Sequence, residues 1–518
     1  MKGAHSAVAE HTTPADTLRA RKLAPLVVAA AVAGGIGAAK LAAMRQPMLI
    51  ILFVVVLVPL ALWKWPQAGV LTLLAGTATV EQFRYTVGPR PGVFTDKIPL
   101  FQSLSKGSGI TPAEMLLVLI TLIWLMKGAV DRSWGVPRSP LARSIVLLLV
   151  MVVIAFGVGI AHGGKVKVAG WEVRPWFYLG LAYLFTASLL RTRNVLRTIL
   201  WTLVLGTGFK ALQGVMMFLS IRHMPGRPEN ILAHEESFFF GVFIILTLGL
   251  WLFQVRGRLR IVATCLLPFV LIADMANARR NAWAIIGTTL IAFGIAAYSA
   301  LPERRRGLRR IGAVVMVISA FYFPLFWNKT GTLAQAARAV HSQIAPDARD
   351  KQSNQYRIAE NLNLALNIRQ SASLGRGFGL PIHYAIAIVD ISNVDAAIAF
   401  LPHNGILWVW MRMGILGEIL FWAMVAAAII RSCLLVKAGD RELALFGTVA
   451  ACAVVAYVVQ GYNDLGLFWF RIAICLGVLL GGVEVGLRLM SGHAGTPGAD
   501  EELLALLDET EPAPAGMR

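Results

Sequence analysis

The stretch Leu401-Pro402-His403-Asn404-Gly405 sets an ionisable imidazole at the rim of a strongly apolar run, Ile406 to Ile429. There a histidine can accept a proton from a hydroxyl or face lipid headgroups, and the dipeptide His403-Asn404 allows both readings. Gly414 lies eleven residues on, close to three helical turns, with Gly417 one turn further. Both would share the face of His403 and admit a neighbouring helix. Two other stretches carry arginines: Arg222-His223-Met224-Pro225-Gly226-Arg227, ahead of His234-Glu235-Glu236, and Asn277-Ala278-Arg279-Arg280-Asn281-Ala282-Trp283. A guanidinium is always charged and presents a planar fork that matches phosphate oxygens. Taken singly, each stretch also fits a lipid-headgroup contact. Gly375-Arg376-Gly377-Phe378-Gly379 must end any helix before it and can turn backbone N–H groups toward an anion. No Walker loop, Ser-His-Asp arrangement or acidic metal cluster is legible. An arginine-rich site with one histidine, no metal and no cofactor is the chemistry that remains.

The elements that must position these residues are membrane helices. Of 518 residues, 57% are hydrophobic and 15% charged, and the mean hydropathy is +0.67, which excludes a soluble protein of this length. The net charge of +20 sits in short basic clusters between apolar runs, so it reads as a topology signal and not as a nucleic-acid surface. Cys265, Cys433, Cys452 and Cys475 show no paired spacing and are expected to be packing residues. About twelve to fourteen spans are expected, near 23–39, 48–63, 66–80, 113–128, 141–161, 175–190, 196–220, 236–254, 259–275, 281–299, 310–327, 402–430, 442–462 and 465–488. With fourteen, both termini are cytoplasmic and the dense arginine clusters, such as Arg304 to Arg310, fall on the cytoplasmic side. Lys40 and Arg45 do not fit, which leaves the number of spans in the first 80 residues open.

The expected organisation is a cytoplasmic tail at 1–22, a helix bundle at 23–327, a long outer loop at 328–401, further spans at 402–489 and a mobile tail at 490–518. A connection of that length exceeds what span packing needs and is where a site belongs. Inside it short helices are expected; Ile358, Leu362, Ala365 and Leu366 recur at a helical period over 353–370, which predicts one lying on the membrane or on the bundle.

Four motifs occur in order between about 200 and 485: Arg227 seven residues before His234, Arg280-Asn281-Ala282-Trp283, Tyr356-Arg357 with Gly375-Arg376-Gly377-Phe378-Gly379, and His403-Asn404 with Gly414 and Gly417. In these the chain resembles the O-antigen ligase and polymerase superfamily of bacterial polysaccharide assembly. Where that family has His-Pro-Asn this chain has His234-Glu235-Glu236, so Arg222 stands beside Arg227 as the alternative arginine. Arg279 and Asn281 likewise replace the usual Ser and Gly. The resemblance implies an all-α polytopic protein of the bacterial inner membrane. It further implies metal-independent glycan transfer at the periplasmic face, from an undecaprenyl diphosphate carrier to a hydroxyl of a glycan, lipid A core or protein. His403 would be the base with Asn404 beside it, and Arg227, Arg280, Arg376 or Arg222 would hold the diphosphate. Physically the two roles agree: fixed guanidiniums stabilise charge growing on a leaving diphosphate, and arginines near a histidine favour its neutral, proton-accepting form. Ligase, repeat-unit polymerase and protein O-oligosaccharyltransferase stay open. A transporter or flippase of an anionic lipid-linked glycan is the rival, kept by Arg412 and Glu418 inside the His403 segment, although no internal repeat is visible.

Overall fold

The computed structural model describes residues 57–83, 94–102, 110–130, 134–226, 228, 230–329, 331–388 and 399–492. The expectations for the two tails and the first span at 23–39 lie outside these residues, and the second span is described only from Leu57. Residues up to Trp65 form a separate unit; everything below concerns residues from Pro66 onward.

Each of the remaining twelve expected segments coincides with a helix. They are α1 (Pro66–Thr79), α2 (Pro112–Val130), α3 (Pro140–Ala161), α4 (Val166–Leu189), α5 (Arg193–Ile221), α6 (Glu236–Leu252), α7 (Arg258–Asn277), α8 (Arg280–Ala300) and α9 (Arg305–Phe326). The long loop then contributes α10 (Gln335–Ile344) and α11 (Ala348–Gln370), followed by α12 (Gly405–Val436), α13 (Arg441–Asn463) and α14 (Phe470–Met490). Nine helices among the described residues are long and apolar enough to cross a membrane, and α6 is a shorter apolar one. The chain is an all-α polytopic membrane protein.

The bundle is built around α14, in which every residue from Phe470 to Leu487 is buried. Gly477 and Gly481, one turn apart, let α14 approach α4 so closely that a Cβ at Gly481 would stand 2.7 Å from the Tyr183 carbonyl oxygen. On the other side Gly482 and Gly486 receive Phe446 and Leu435. Outward faces stay apolar, as a hydrocarbon solvent allows: α9 buries no residue, and Val314, Met316 and Phe321 are all exposed.

Two expectations need correction. The connection expected at 162–174 is only four residues, because α4 starts at Val166 and carries its charged first turns into the protein, where Glu172 meets Arg412 at 2.6 Å. The loop helix α11 runs 23 residues and is not short. Of its apolar stripe Ile358 and Leu362 are exposed and Ala365 and Leu366 half-buried, whereas Glu360, Asn363 and Asn367 are buried.

Candidate active site

Helix α11 acts as a ruler. Ser353, Glu360 and Asn367 follow at seven-residue intervals, nearly two turns each, so they share one face at steps of about 10 Å. Each engages a residue singled out by sequence. Ser353 Oγ accepts a hydrogen bond from Arg280 Nη2 at 3.1 Å, and Asp350 lies 3.3 Å from Arg280 Nη1. Glu360 accepts from the backbone N–H of His403 at 3.0 Å and lies 3.2 Å from its Nδ1. Asn367 Oδ1 accepts from Arg376 Nη1. The histidine thus stands between two guanidiniums along one helix.

The inward polar face has a structural cause. Asn363 exchanges two 2.8 Å bonds with the backbone of Ile386, and Asn367 does the same with His383 at 2.7 and 3.1 Å. The two side-chain amides imitate a neighbouring strand and satisfy a segment that has no secondary structure of its own. Tyr384 is thereby held over the site. Burial, reinforced by the Glu360 carboxylate, raises its hydroxyl above the usual tyrosine range.

His403 is positioned from every side. Asn404 caps α12, its Oδ1 accepting from Ile406 and Leu407 N–H at 3.1 and 3.2 Å. This cap commits the Asn404 oxygen to the backbone and fixes the start of α12 directly after His403. The His403 carbonyl accepts from Leu465 N–H at 3.0 Å, and the Tyr356 ring meets the imidazole edge-on at 5.6 Å. The imidazole is 26% exposed, and its Nε2 makes no hydrogen bond among the described residues. The nearest charge to it is a carboxylate, not a guanidinium. In place of the guanidiniums expected around it, the imidazole has the Glu360 carboxylate at Nδ1, which orients the ring and leaves Nε2 unengaged among the described residues.

A second histidine closes the cluster. His234 Nδ1 lies 2.5 Å from Asp464 Oδ2, and Arg279 Nη1 stands 2.9 Å from both ring nitrogens. With both ring nitrogens engaged, His234 is a structural partner and not a free base. Burial alone would raise the Asp464 carboxyl, but His234, Arg279 and Arg357 outweigh it and hold the group well below the usual carboxylate range. Asp464 adjoins Leu465, and Arg279 adjoins Arg280, so contacts run in a ring from Arg280 through α11, His403, Leu465, Asp464 and His234 back to Arg279. Beneath it the acidic pair Glu235 and Glu236 is claimed by Arg471 Nη1 at 3.0 and 2.6 Å.

The glycine loop does something other than expected. Arg376 and Gly377 N–H donate to the carbonyls of Met411 and Arg412, Phe378 N–H to Ala155, Gly375 N–H to Ser371 and Gly379 N–H to Glu172. All five amides are spent, so none is left for an anion. The loop instead threads into a break in α12 at Gly414, whose φ of 67° no helix contains. His403, Gly414 and Gly417 do not share a continuous helical face, and what Gly414 admits is this loop. Arg412, unexplained by sequence, bonds Glu172 and the carbonyls of Gly377 and Phe400, locking the loop in place. Glu418 accepts from Trp422 Nε1 at 2.7 Å within the same helix. Only the side chain of Arg376 faces the cluster. Burial, with Arg412 nearby, lowers its pKa, although a guanidinium remains charged.

Of the other candidates, Arg222 is an exposed residue at the end of α5 and makes no side-chain contact with this ring, and Arg227 lies outside the described residues. Sequence reasoning missed Glu360 and Asp464. A signal for Glu360 existed in the polar stripe Tyr356, Glu360, Asn363 and Asn367 at helical spacing, but Asp464 offered none. No family model matches the chain, and no curated protein matches it in sequence.

Proposed function

We propose that this protein is a glycosyltransferase of the O-antigen ligase type. It would move a glycan from an undecaprenyl diphosphate carrier to a hydroxyl acceptor at the periplasmic face of the bacterial inner membrane. The supporting observation is the single face of α11 that presents Arg280, His403 and Arg376 in sequence, with the Nε2 of His403 uncommitted. In this reading His403 Nε2 takes the proton of the attacking hydroxyl as its oxygen bonds to the anomeric carbon. The bond from that carbon to the phosphate oxygen breaks, and the electron pair leaves with the diphosphate, where the two guanidiniums stabilise the growing charge. Glu360 balances the imidazolium that forms.

A polymerase or a protein O-oligosaccharyltransferase would use the same donor chemistry and differ only in acceptor. Transport of a lipid-linked anion draws on a different observation, the buried ion network of Lys210 with Glu81 and of Arg471 with Glu235 and Glu236. Purified protein incubated with a lipid-diphosphate-linked glycan and, separately, a glycan, a lipid A core or a protein acceptor distinguishes these readings. Transfer is expected with one acceptor class, reduced at least about a hundredfold by His403→Ala. Arg280→Lys should be nearly as damaging as Arg280→Ala, because lysine keeps the charge but loses the fork. Donor movement across a vesicle membrane without any transfer would replace this reading by the transporter.

A further inference from the structure

Helix α13 ends at Asn463, beside Asp464 of the candidate site; its other end, with the start of α5 at Arg193 and the turn between α6 and α7, frames a cleft of about 370 Å³. That volume is in the range of small-ligand sites. Its floor is apolar: Leu196, Leu200 and Trp201 of α5 with Phe446 of α13. On one rim Arg193 and Arg197 are fixed by Glu442, and Arg193 also by Asp440 at 2.7 Å. On the other rim Arg256 and Arg258 are exposed and make no ion pair among the described residues. Gly257 between them has a φ of 136°, a conformation open to glycine, and lets both side chains leave the backbone toward the same cleft. The first turn of α7 lines the cleft with no side chain capping its amides.

We infer that this cleft binds the headgroup of an anionic phospholipid. Four guanidiniums against the two carboxylates Asp440 and Glu442 leave a net charge of two positive, suited to a phosphodiester. Arginines that serve only to orient a span need nothing but water around them; these surround a hydrophobic floor. That floor continues into lipid-facing surface, where Leu205 of α5 and Ile261 of α7 are 52% and 62% exposed, so acyl chains have an apolar path away from the rim. A free phosphate would gain nothing from the floor, and a zwitterionic lipid would gain little from the rim.

Native mass spectrometry of the full-length protein, titrated with phosphatidylglycerol and with phosphatidylcholine, tests the site. Wild type should retain phosphatidylglycerol in preference to phosphatidylcholine, and millimolar inorganic phosphate should not displace it. The double variant R256Q/R258Q should bind phosphatidylglycerol roughly 25-fold more weakly, from about fivefold for each surface arginine. Its thermal unfolding should match wild type, since neither side chain packs against the bundle. Unchanged phosphatidylglycerol binding in the variant, equal binding of the two lipids, or displacement by phosphate would each overturn the inference. None of these outcomes depends on whether the opposite end transfers glycans.

Discussion

At the scale of single residues, the two histidines differ in what their second nitrogen does. His234 has both nitrogens engaged, whereas His403 leaves Nε2 unengaged among the described residues and has Nδ1 held by a fully buried carboxylate. In the proposed reaction Glu360 is therefore a positioning residue. Glu360→Gln should lower kcat by roughly tenfold to a hundredfold while leaving KM near wild type, because the amide can still bond but cannot balance the imidazolium. A rise in KM with unchanged kcat would assign Glu360 to substrate binding instead. Asp464 supports a pH prediction. Its pKa is depressed in the folded protein, so it contributes stability above the unfolded value of about 4 and loses that contribution as the pH falls from there toward the folded value. The gap in Tm between wild type and Asp464→Asn should be largest near neutral pH and shrink below about pH 4. A gap that stays constant on acidification would place the stabilisation outside the carboxylate's charge.

At the scale of elements, apolar run length made the spans legible and buried polar groups made the rest illegible. Hydropathy located twelve segments to within a few residues at most ends, because lipid-facing helices must be apolar whatever they touch. It failed at the start of α4, at the face of α11 and at the glycine loop, where polarity was read as exposure. In each place the polar group is buried with a partner far off in sequence: Glu172 with Arg412, Glu360 with His403, Gly379 N–H with Glu172. A single sequence carries no record of such pairings. The loop insertion itself is testable. Gly377 has a φ of 79°, and a Cβ there would run into the backbone of Gly159 on α3. Gly377→Ala should destabilise by at least about 1–3 kcal/mol and lower Tm by several degrees, with a larger loss of activity as Arg376 shifts. A variant with wild-type Tm would show that the loop is not seated against α3 at Gly159.

At the scale of the whole molecule, the ring of contacts is useful only if its members share the compartment in which a lipid-linked glycan is presented. Helix α8 begins at Arg280 in the ring and ends at Ala300; α9 then starts at Arg305 and leads back to the long loop that holds α10 and α11. With about 1.5 Å per residue, the 22 residues of α9 span about 33 Å, the thickness of a hydrocarbon core. Gly307, in the first turn of α9, and Lys351, on α11, should thus lie on opposite sides of the membrane. By the positive-inside rule the basic cluster from Arg304 to Arg310 predicts that the Gly307 side is cytoplasmic. Both positions are exposed, and a side chain at Gly307 would meet nothing within 4 Å. In a cysteine-free background, Lys351→Cys should react with a membrane-impermeant thiol reagent in intact spheroplasts, and Gly307→Cys only after lysis. The reverse pattern would place His403 in the cytoplasm, away from the presented donor, and end the glycosyltransferase reading while leaving the helical architecture untouched.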